Sequence, residues 1–428
     1  MGKISYALLF SFLFVLTLFA STPELKEKLA GLDGVTQIEL LESNRYTEKY
    51  VVRITQLLDP HNPAAGTFSQ RVIIGHHGFD RPTVIVTEGY GAAYALRERY
   101  QDEISGLLNA NVIVVEHRYF LESTPEPLNW DYLTAENSAY DLHRVTTTFK
   151  TLYPGKWIST GISKGGQTTM LYRAYFPDDV DISVPYVGPL NRDVEDGRHE
   201  EFLRQVGTSA VREQVEKFQI EVLKRRTSLQ PIFEAYCKEK ELSFRLPIHE
   251  IYDYAVLEYP FAFWQWGVSA NEIPSLTADD QTVFDHFIKI GGPAYFSENQ
   301  SISSFFVQAA RDLGYYGYDT EPFKEYLSIS TSKGYLNKIM VPASAGEITF
   351  NPALYEKVYN YLSANDPKMI FIYGEYDPWS ASGAPQFAGK KNQQKYILPQ
   401  ASHSARISNM PEDMASKVID QLNAWLNE

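Results

Sequence analysis

The chain has 428 residues, 44% hydrophobic and 21% charged, a globular composition that fits one large domain with an insertion or two to three small ones. Fifty-three Asp and Glu against 39 Lys and Arg give a formal net charge of −14, and with no basic run such a chain repels phosphate backbones, which excludes nucleic-acid binding as its main task. Cys237 is the single cysteine, which excludes an internal disulfide and any Cys-built zinc or iron–sulfur site.

At the N-terminus Lys3 is followed by an apolar run from Ala7 to Phe19 and then by the small residues Ala20 and Ser21. This pattern predicts a cleaved secretory signal peptide over residues 1–21, the run being short for a stable membrane span. No later stretch is long and apolar enough to span a bilayer. Export without disulfides points to a bacterial periplasm or exterior.

From Gln37 to Gly75 hydrophobic and polar residues alternate, which predicts antiparallel strands. A tight turn is expected at His77, Gly78, Phe79 and Asp80. Two apolar runs follow, TVIVTEGYG from Thr83 and NVIVVEHRYF from Asn111, as expected of strands covered on both faces. Between them AAYALRERYQDEISGLL has helical spacing. The alternation continues with a helix from Ala135 to Leu152, the strand KWIST and the helix QTTMLYRAYF, which together predict a mostly parallel sheet of the α/β class. Residues 191–340 are helix-rich, aromatic and strand-poor. The α/β signal then returns in KMIFIYGEYDPWS and QQKYILPQ and closes on the helix MPEDMASKVIDQLNAWL. One sheet interrupted by a helical cap explains this order, with core segments 22–190 and 341–428 around the insertion.

Gly161-Ile162-Ser163-Lys164-Gly165-Gly166 stands between a predicted strand and a predicted helix. Glycines on both sides of the serine permit the strained turn that lifts a nucleophilic hydroxyl clear of an α/β-hydrolase sheet. Such a serine needs a base and a group that orients it, in the chain order serine, acid, histidine. His199, His249 and His286 fall in the helical insertion and are expected on its surface or as caps. His403 alone follows a late strand, and Asp377, before Pro378, leaves the end of the strand preceding it. An oxyanion hole takes one N–H from Lys164 and a second from Gly89 or Tyr90.

Other segments carry a family likeness. Gln56-Leu57-Leu58-Asp59, Thr67-Phe68-Ser69-Gln70-Arg71, Glu116-His117-Arg118-Tyr119-Phe120 and Tyr132-Leu133-Thr134-Ala135-Glu136 resemble the prolyl carboxypeptidase and dipeptidyl peptidase II group of serine exopeptidases. The elbow departs from that group, having Lys164 where the group has Tyr, and Leu121-Glu122 replaces its Gly plus basic residue. With Asp377-Pro378-Trp379-Ser380, the chain more closely resembles the secreted bacterial tripeptidyl aminopeptidases. The resemblance implies an α/β-hydrolase core with a helical cap. It also implies release of short peptides, tripeptides foremost, from free N-termini, with Ser163, Asp377 and His403 on the triad positions. An esterase built on the same machinery, and a catalytically silent envelope protein that binds peptides, are the alternative readings.

An aminopeptidase holds its substrate's ammonium with carboxylates, because an unpaired buried charge is costly. Glu88, Glu116 and Glu136 are the candidates, each in a motif segment expected near a strand end. Glu116, beside His117 and Arg118, also suits a buried ion pair. Tyr252, Tyr254, Phe261, Phe263, Trp264 and Trp266 are candidates for an apolar specificity wall, although such clusters also form plain core. The sequence implies no metal or organic cofactor, having neither a His-Glu-x-x-His string nor a dinucleotide glycine fingerprint. Peptides are the expected partners, and the oligomeric state is left open.

Overall fold

The computed structural model describes residues 24–428, so the segment expected as a signal peptide lies outside the described residues. Nine strands form one sheet: β1 (Val35–Leu41), β2 (Glu48–Leu57), β3 (Thr67–His76), β4 (Thr83–Thr87), β5 (Asn111–Val115), β6 (Trp157–Ile162), β7 (Ile182–Tyr186), β8 (Met369–Gly374) and β9 (Gln393–Leu398). Their spatial order is β1-β2-β3-β5-β4-β6-β7-β8-β9. The pairs β1–β2, β2–β3 and β3–β5 are antiparallel, and every later pair is parallel. In β2 buried residues largely alternate with half-buried ones, whereas every residue of β4 and β5 is buried. That contrast follows from the sequences, since only purely apolar strands tolerate cover on both faces.

The helices are α1 (Glu24–Ala30), α2 (Glu103–Leu108), α3 (Ala135–Lys150), α4 (Lys164–Tyr175), α5 (Arg198–Leu203), α6 (Ser209–Lys224), α7 (Arg226–Glu239), α8 (Ile248–Gln265), α9 (Asp280–Ile290), α10 (Ser303–Gln308), α11 (Ala353–Ala364) and α12 (Glu412–Leu426). This is an α/β-hydrolase fold: a mostly parallel sheet wrapped by crossover helices. Helices α5 to α10 leave the sheet after β7, and α11 returns to pack against α4. Within this layer α8 is apolar on nearly every side and packs against α6, α7 and α9, as a helix at the centre of a helical layer must. No helix among the described residues is long and apolar enough to cross a membrane.

The turn after β3 forms as expected. The Asn111 side-chain oxygen accepts from the His77 and Gly78 N–H groups at 2.8 and 3.2 Å, while its nitrogen donates to the Gly78 carbonyl. One expected helix does not form whole. The segment after β4 makes a 3₁₀ turn at Ala93–Leu96, and α2 begins only at Glu103. Arg97 and Asp102 are extended, and the Asp102 carboxylate accepts from the Ser105 N–H, so local side-chain bonding starts a new helix where spacing alone suggested continuation.

Strand β6 and helix α4 meet through glycines. A Cβ on Gly161 would stand 2.3 Å from the Gly165 carbonyl oxygen and 2.7 Å from that of Thr87; one on Gly166 would stand 2.4 Å from the Tyr186 carbonyl. These neighbours are backbone and have little room to yield. Gly161→Ala is therefore expected to destabilise the protein by at least about 1–3 kcal/mol. Gly155→Ala, at an exposed position with its nearest neighbour at 3.6 Å, should change stability by no more than about 0.5 kcal/mol. Urea unfolding of both variants checks the contrast, and equal midpoints would contradict it.

Candidate active site

Ser163 joins β6 to α4 with φ 59° and ψ −121°, a backbone conformation that non-glycine residues rarely adopt. The turn is pinned from both sides. Its N–H donates to the Tyr186 carbonyl at 2.9 Å, and its carbonyl accepts from the Gln167 N–H at 2.9 Å. The Thr87 hydroxyl lies 3.1 Å from the carbonyls of Thr160 and Gly165 and 2.7 Å from the Thr169 hydroxyl, which ties β4, β6 and α4 together beneath the serine.

Asp377 lies three residues beyond the end of β8 and is fully buried. One carboxylate oxygen accepts from the Trp379 N–H at 3.1 Å, the other from His403 Nδ1 at 2.7 Å. A carboxylate that accepts from Nδ1 leaves Nε2 as the bare ring nitrogen. His403 Nε2 is buried and has no hydrogen-bond partner among the described residues, yet His403 and Ser163 line the same cavity. The His403 N–H donates to the Gln265 carbonyl at 3.0 Å, fastening the histidine loop to the end of α8. No direct Ser163–His403 hydrogen bond closes, a looseness common in such pairs before substrate tightens them.

Lys164 is the first residue of α4, where helical N–H groups have no intrahelical acceptor. The Tyr90 N–H, on the facing loop, has no acceptor among the described residues either. Beside the serine lies a niche of about 20 Å³ bordered by Tyr90, Ser163, Lys164, Gln167, Asn191 and Trp379, room for one water-sized group. The loops touch because Gly89 has no side chain: a Cβ there would stand 2.6 Å from Lys164 Cβ. The Lys164 side chain adds a contact that the sequence reading did not foresee. Its ammonium donates to the Gly89 carbonyl at 2.5 Å and lies over the rings of Tyr90 and Phe120. Burial holds that ammonium well below the usual lysine pKa range, against the opposing pull of Asp312 and Glu88.

The cavity that Ser163 and His403 share measures about 690 Å³. Glu88, Glu116 and Glu136, the expected amine-binding residues, are not among the residues that line it. Glu88 accepts from the Tyr94 hydroxyl, and burial pushes it up to about 7 although that hydrogen bond lowers it. Glu116 is fully buried and engaged by the Arg71 guanidinium, the Ser123 hydroxyl and the Ala92 N–H. Glu136 lies 46% exposed on α3, 3.4 Å from His61. Of the six aromatics proposed as a wall, only Trp266 borders the cavity; Tyr252, Tyr254, Phe261, Phe263 and Trp264 belong to the core around α8. The wall is built instead by Tyr90, Tyr295, Phe305, Tyr315, Tyr316 and Trp379. His199 is also a correction, being fully buried beneath the Pro378 turn with its ring nitrogens 3.1 Å from the Pro378 carbonyl and the Asn191 side chain. His286 is buried against Tyr259, and His249 is exposed.

One carboxylate does line the cavity, and the sequence reading missed it. Glu258, on α8, is 6% exposed and accepts from the hydroxyls of Tyr316 at 2.9 Å and Tyr318 at 2.8 Å. Burial pushes its pKa up to about 7, against the lowering effect of those two hydrogen bonds. Its only sequence signal is an acidic residue inside the otherwise apolar run YAVLEYPFAF. A second pocket, of about 380 Å³, opens on the other side of α8 and shares no lining residue with this cavity.

The family model of the PS-10 peptidase S37 matches residues 20–427. Over 420 residues the chain is 27% identical to the prolyl tri/tetrapeptidyl aminopeptidase of Streptomyces mobaraensis, covering 95% of this chain and 86% of that protein. Among solved structures it is similar to proline iminopeptidase of Mycobacterium smegmatis, with 13% identity, a TM-score of 0.36 and coverage of 91% of this chain and 99% of that one. It is likewise similar to a peroxisomal α/β-hydrolase of Saccharomyces cerevisiae, with 12% identity, a TM-score of 0.38 and coverage of 90% and 88%. With its family model matched from residue 20 nearly to the C-terminus, the chain belongs to the PS-10 peptidase S37 family.

Proposed function

We propose that the protein is an exported serine aminopeptidase that releases tri- or tetrapeptides from free N-termini through an acyl-enzyme on Ser163. The observation that carries the reading is the Asp377-oriented His403, whose Nε2 has no protein partner among the described residues and which lines the same cavity as a serine at a strained strand–helix turn. In this reading the Ser163 hydroxyl attacks the scissile carbonyl while His403 Nε2 takes its proton, then delivers it to the leaving amine. The substrate oxygen enters the niche bordered by Lys164 and Tyr90, where their N–H groups stabilise it as it gains charge. Water then repeats the sequence on the ester, with His403 as base. Asp377 keeps the proton on Nδ1 and stabilises the imidazolium. Product length and a preference for proline before the cut are taken over from the Streptomyces mobaraensis relative's activity, and export from the segment 1–21.

Ser163→Ala is expected to keep its fold and lose nearly all hydrolysis, and a fluorophosphonate probe should label the wild type at Ser163. Asp377→Asn and His403→Ala should each lose on the order of 10⁴-fold in kcat, with little further loss when combined with Ser163→Ala, since triad members act as a unit. Mass-spectrometric mapping of the labelled serine and steady-state rates decide the matter. Label on another serine, or near-normal turnover in His403→Ala, would refute the assignment.

Lys164 also makes a separable contribution as a positioning residue. Lys164→Met keeps an unbranched stem but removes the ammonium that lies over Tyr90 and Phe120 and holds the Gly89 carbonyl, letting the Tyr90 N–H drift from the niche. The expected result is a loss of roughly 10- to 100-fold in kcat with KM little changed. Paired kcat and KM measurements test it, and a loss confined to KM would point to substrate contact.

A further inference from the structure

We infer that Glu258 is the receptor for the substrate's α-ammonium group and that its place on α8 sets the length of the peptide released. The inference rests on the aminopeptidase reading and supplies its missing element, the group that recognises a chain end.

Three observations converge on Glu258. It is the one acidic residue among those lining the cavity that holds Ser163 and His403. Among the described residues its hydrogen-bond donors are the hydroxyls of Tyr316 and Tyr318, neither of which carries a positive charge. Oε1 receives only the longer, 3.1 Å share of the Tyr316 bond, which leaves acceptor capacity open to a further donor. A buried carboxylate held by neutral donors is costly when ionised, and an ammonium ligand relieves that cost. The surroundings suit a cation as well. The rings of Tyr295, Tyr315, Tyr316 and Trp379 border the same cavity, with Tyr315 stacked on Tyr316 at 4.3 Å. Aromatic faces beside a carboxylate attract ammonium groups and give neutral or anionic chain ends no such gain.

Helix α8 supplies the measure. Gln265, whose carbonyl accepts from the His403 N–H, follows Glu258 by seven positions. Seven helical residues rise about 10 Å. Three extended residues span about 10 Å as well. A peptide whose amine meets Glu258 therefore presents its third carbonyl at the His403 end of the helix, which selects a tripeptide as the acyl group.

The pH dependence follows from the groups around Glu258. Tyr295, Tyr315, Tyr316, Tyr318 and Tyr335 are all held well above the usual tyrosine range by burial and stay neutral. His403 and Arg406 are the other titratable side chains with ionisable nitrogen on the cavity wall. With Glu258 titrating at about 7, kcat/KM for a free-amine peptide should rise as pH passes through 7, then fall as the substrate amine deprotonates near 8. Because burial raises the pKa of Glu258 above that of the unfolded chain, its charge opposes folding as pH rises through 7. Glu258→Gln should therefore melt no lower than the wild type at pH 8.

The test uses Ala-Ala-Pro-p-nitroanilide with a free amine, its N-acetylated form and its des-amino form, together with the free-amine dipeptide and tetrapeptide anilides, on the full chain. In the wild type the free-amine tripeptide should exceed both blocked forms by about 10- to 100-fold in kcat/KM, and exceed the dipeptide. In Glu258→Gln that preference should fall to within about threefold, the loss being carried by the free-amine substrate. Fluorophosphonate labelling of Ser163 in the variant reports that the triad is assembled. A preference that persists in Glu258→Gln overturns the assignment and leaves the aminopeptidase reading standing. Equal cleavage of free and blocked peptides by the wild type, or cleavage of none, overturns the aminopeptidase reading itself. A melting temperature for Glu258→Gln below the wild type at pH 8 overturns the inference by showing that the charge serves the fold. Faster release from the dipeptide or tetrapeptide overturns the length rule alone.

Discussion

The structure turns on the closeness with which α4 begins against the sheet. Gly161, Gly165 and Gly166 let backbone meet backbone there, and Gly89 and Gly188 complete the contact from the facing loops. A side chain at any of these points would push the helix away. The approach does more than bend the chain at Ser163. It brings the unpaired N–H of Lys164 beside the Tyr90 loop, places the Lys164 ammonium on the Gly89 carbonyl, and lets Thr87 bond across three elements. The serine, the niche and the lysine tether are thus three results of one packing constraint.

The acidic residues divide by what faces them. Glu116 and Asp141 are buried against Arg71 and Arg118, and their ion pairs brace β3, β5 and α3. Removing one partner of such a pair strands a charge and costs about 3–5 kcal/mol, so these groups are bound into the fold. Glu258 and Glu88 are met by tyrosine hydroxyls, and their carboxyls stand at about 7. Of the two, only Glu258 opens on the cavity.

What was legible in the sequence was local. The apolar runs of β4 and β5, the glycines around Ser163, and Asp377 and His403 each after a late strand declare themselves within a few residues. The fold class and the placement of the serine, acid and histidine follow from them. The break after Leu96 was less visible, because Asp102 capping a new helix competes with an unbroken apolar spacing. The carboxylates could not be sorted at all. The partner of Glu116 is 45 residues away in Arg71, and the tyrosines of Glu258 lie 58 and 60 residues beyond it. Whether a glutamate ends in an ion pair or at a cavity is decided by tertiary neighbours that no local pattern encodes. The aromatic wall was misjudged for the same reason: of the rings nearest in sequence to Glu258 all but Trp266 went into the core, and Tyr90, Trp379 and rings from residues 295–316 line the cavity.

The hydrogen bond from the His403 N–H to the Gln265 carbonyl has a mechanical side. Helical layers over hydrolase sheets are commonly pictured as doors that swing while the catalytic groups beneath stay still. Here the door and the base are fastened together. Any swing of α8 away from the sheet must either drag the histidine loop with it or break that bond, so an open door and a poised imidazole are competing states.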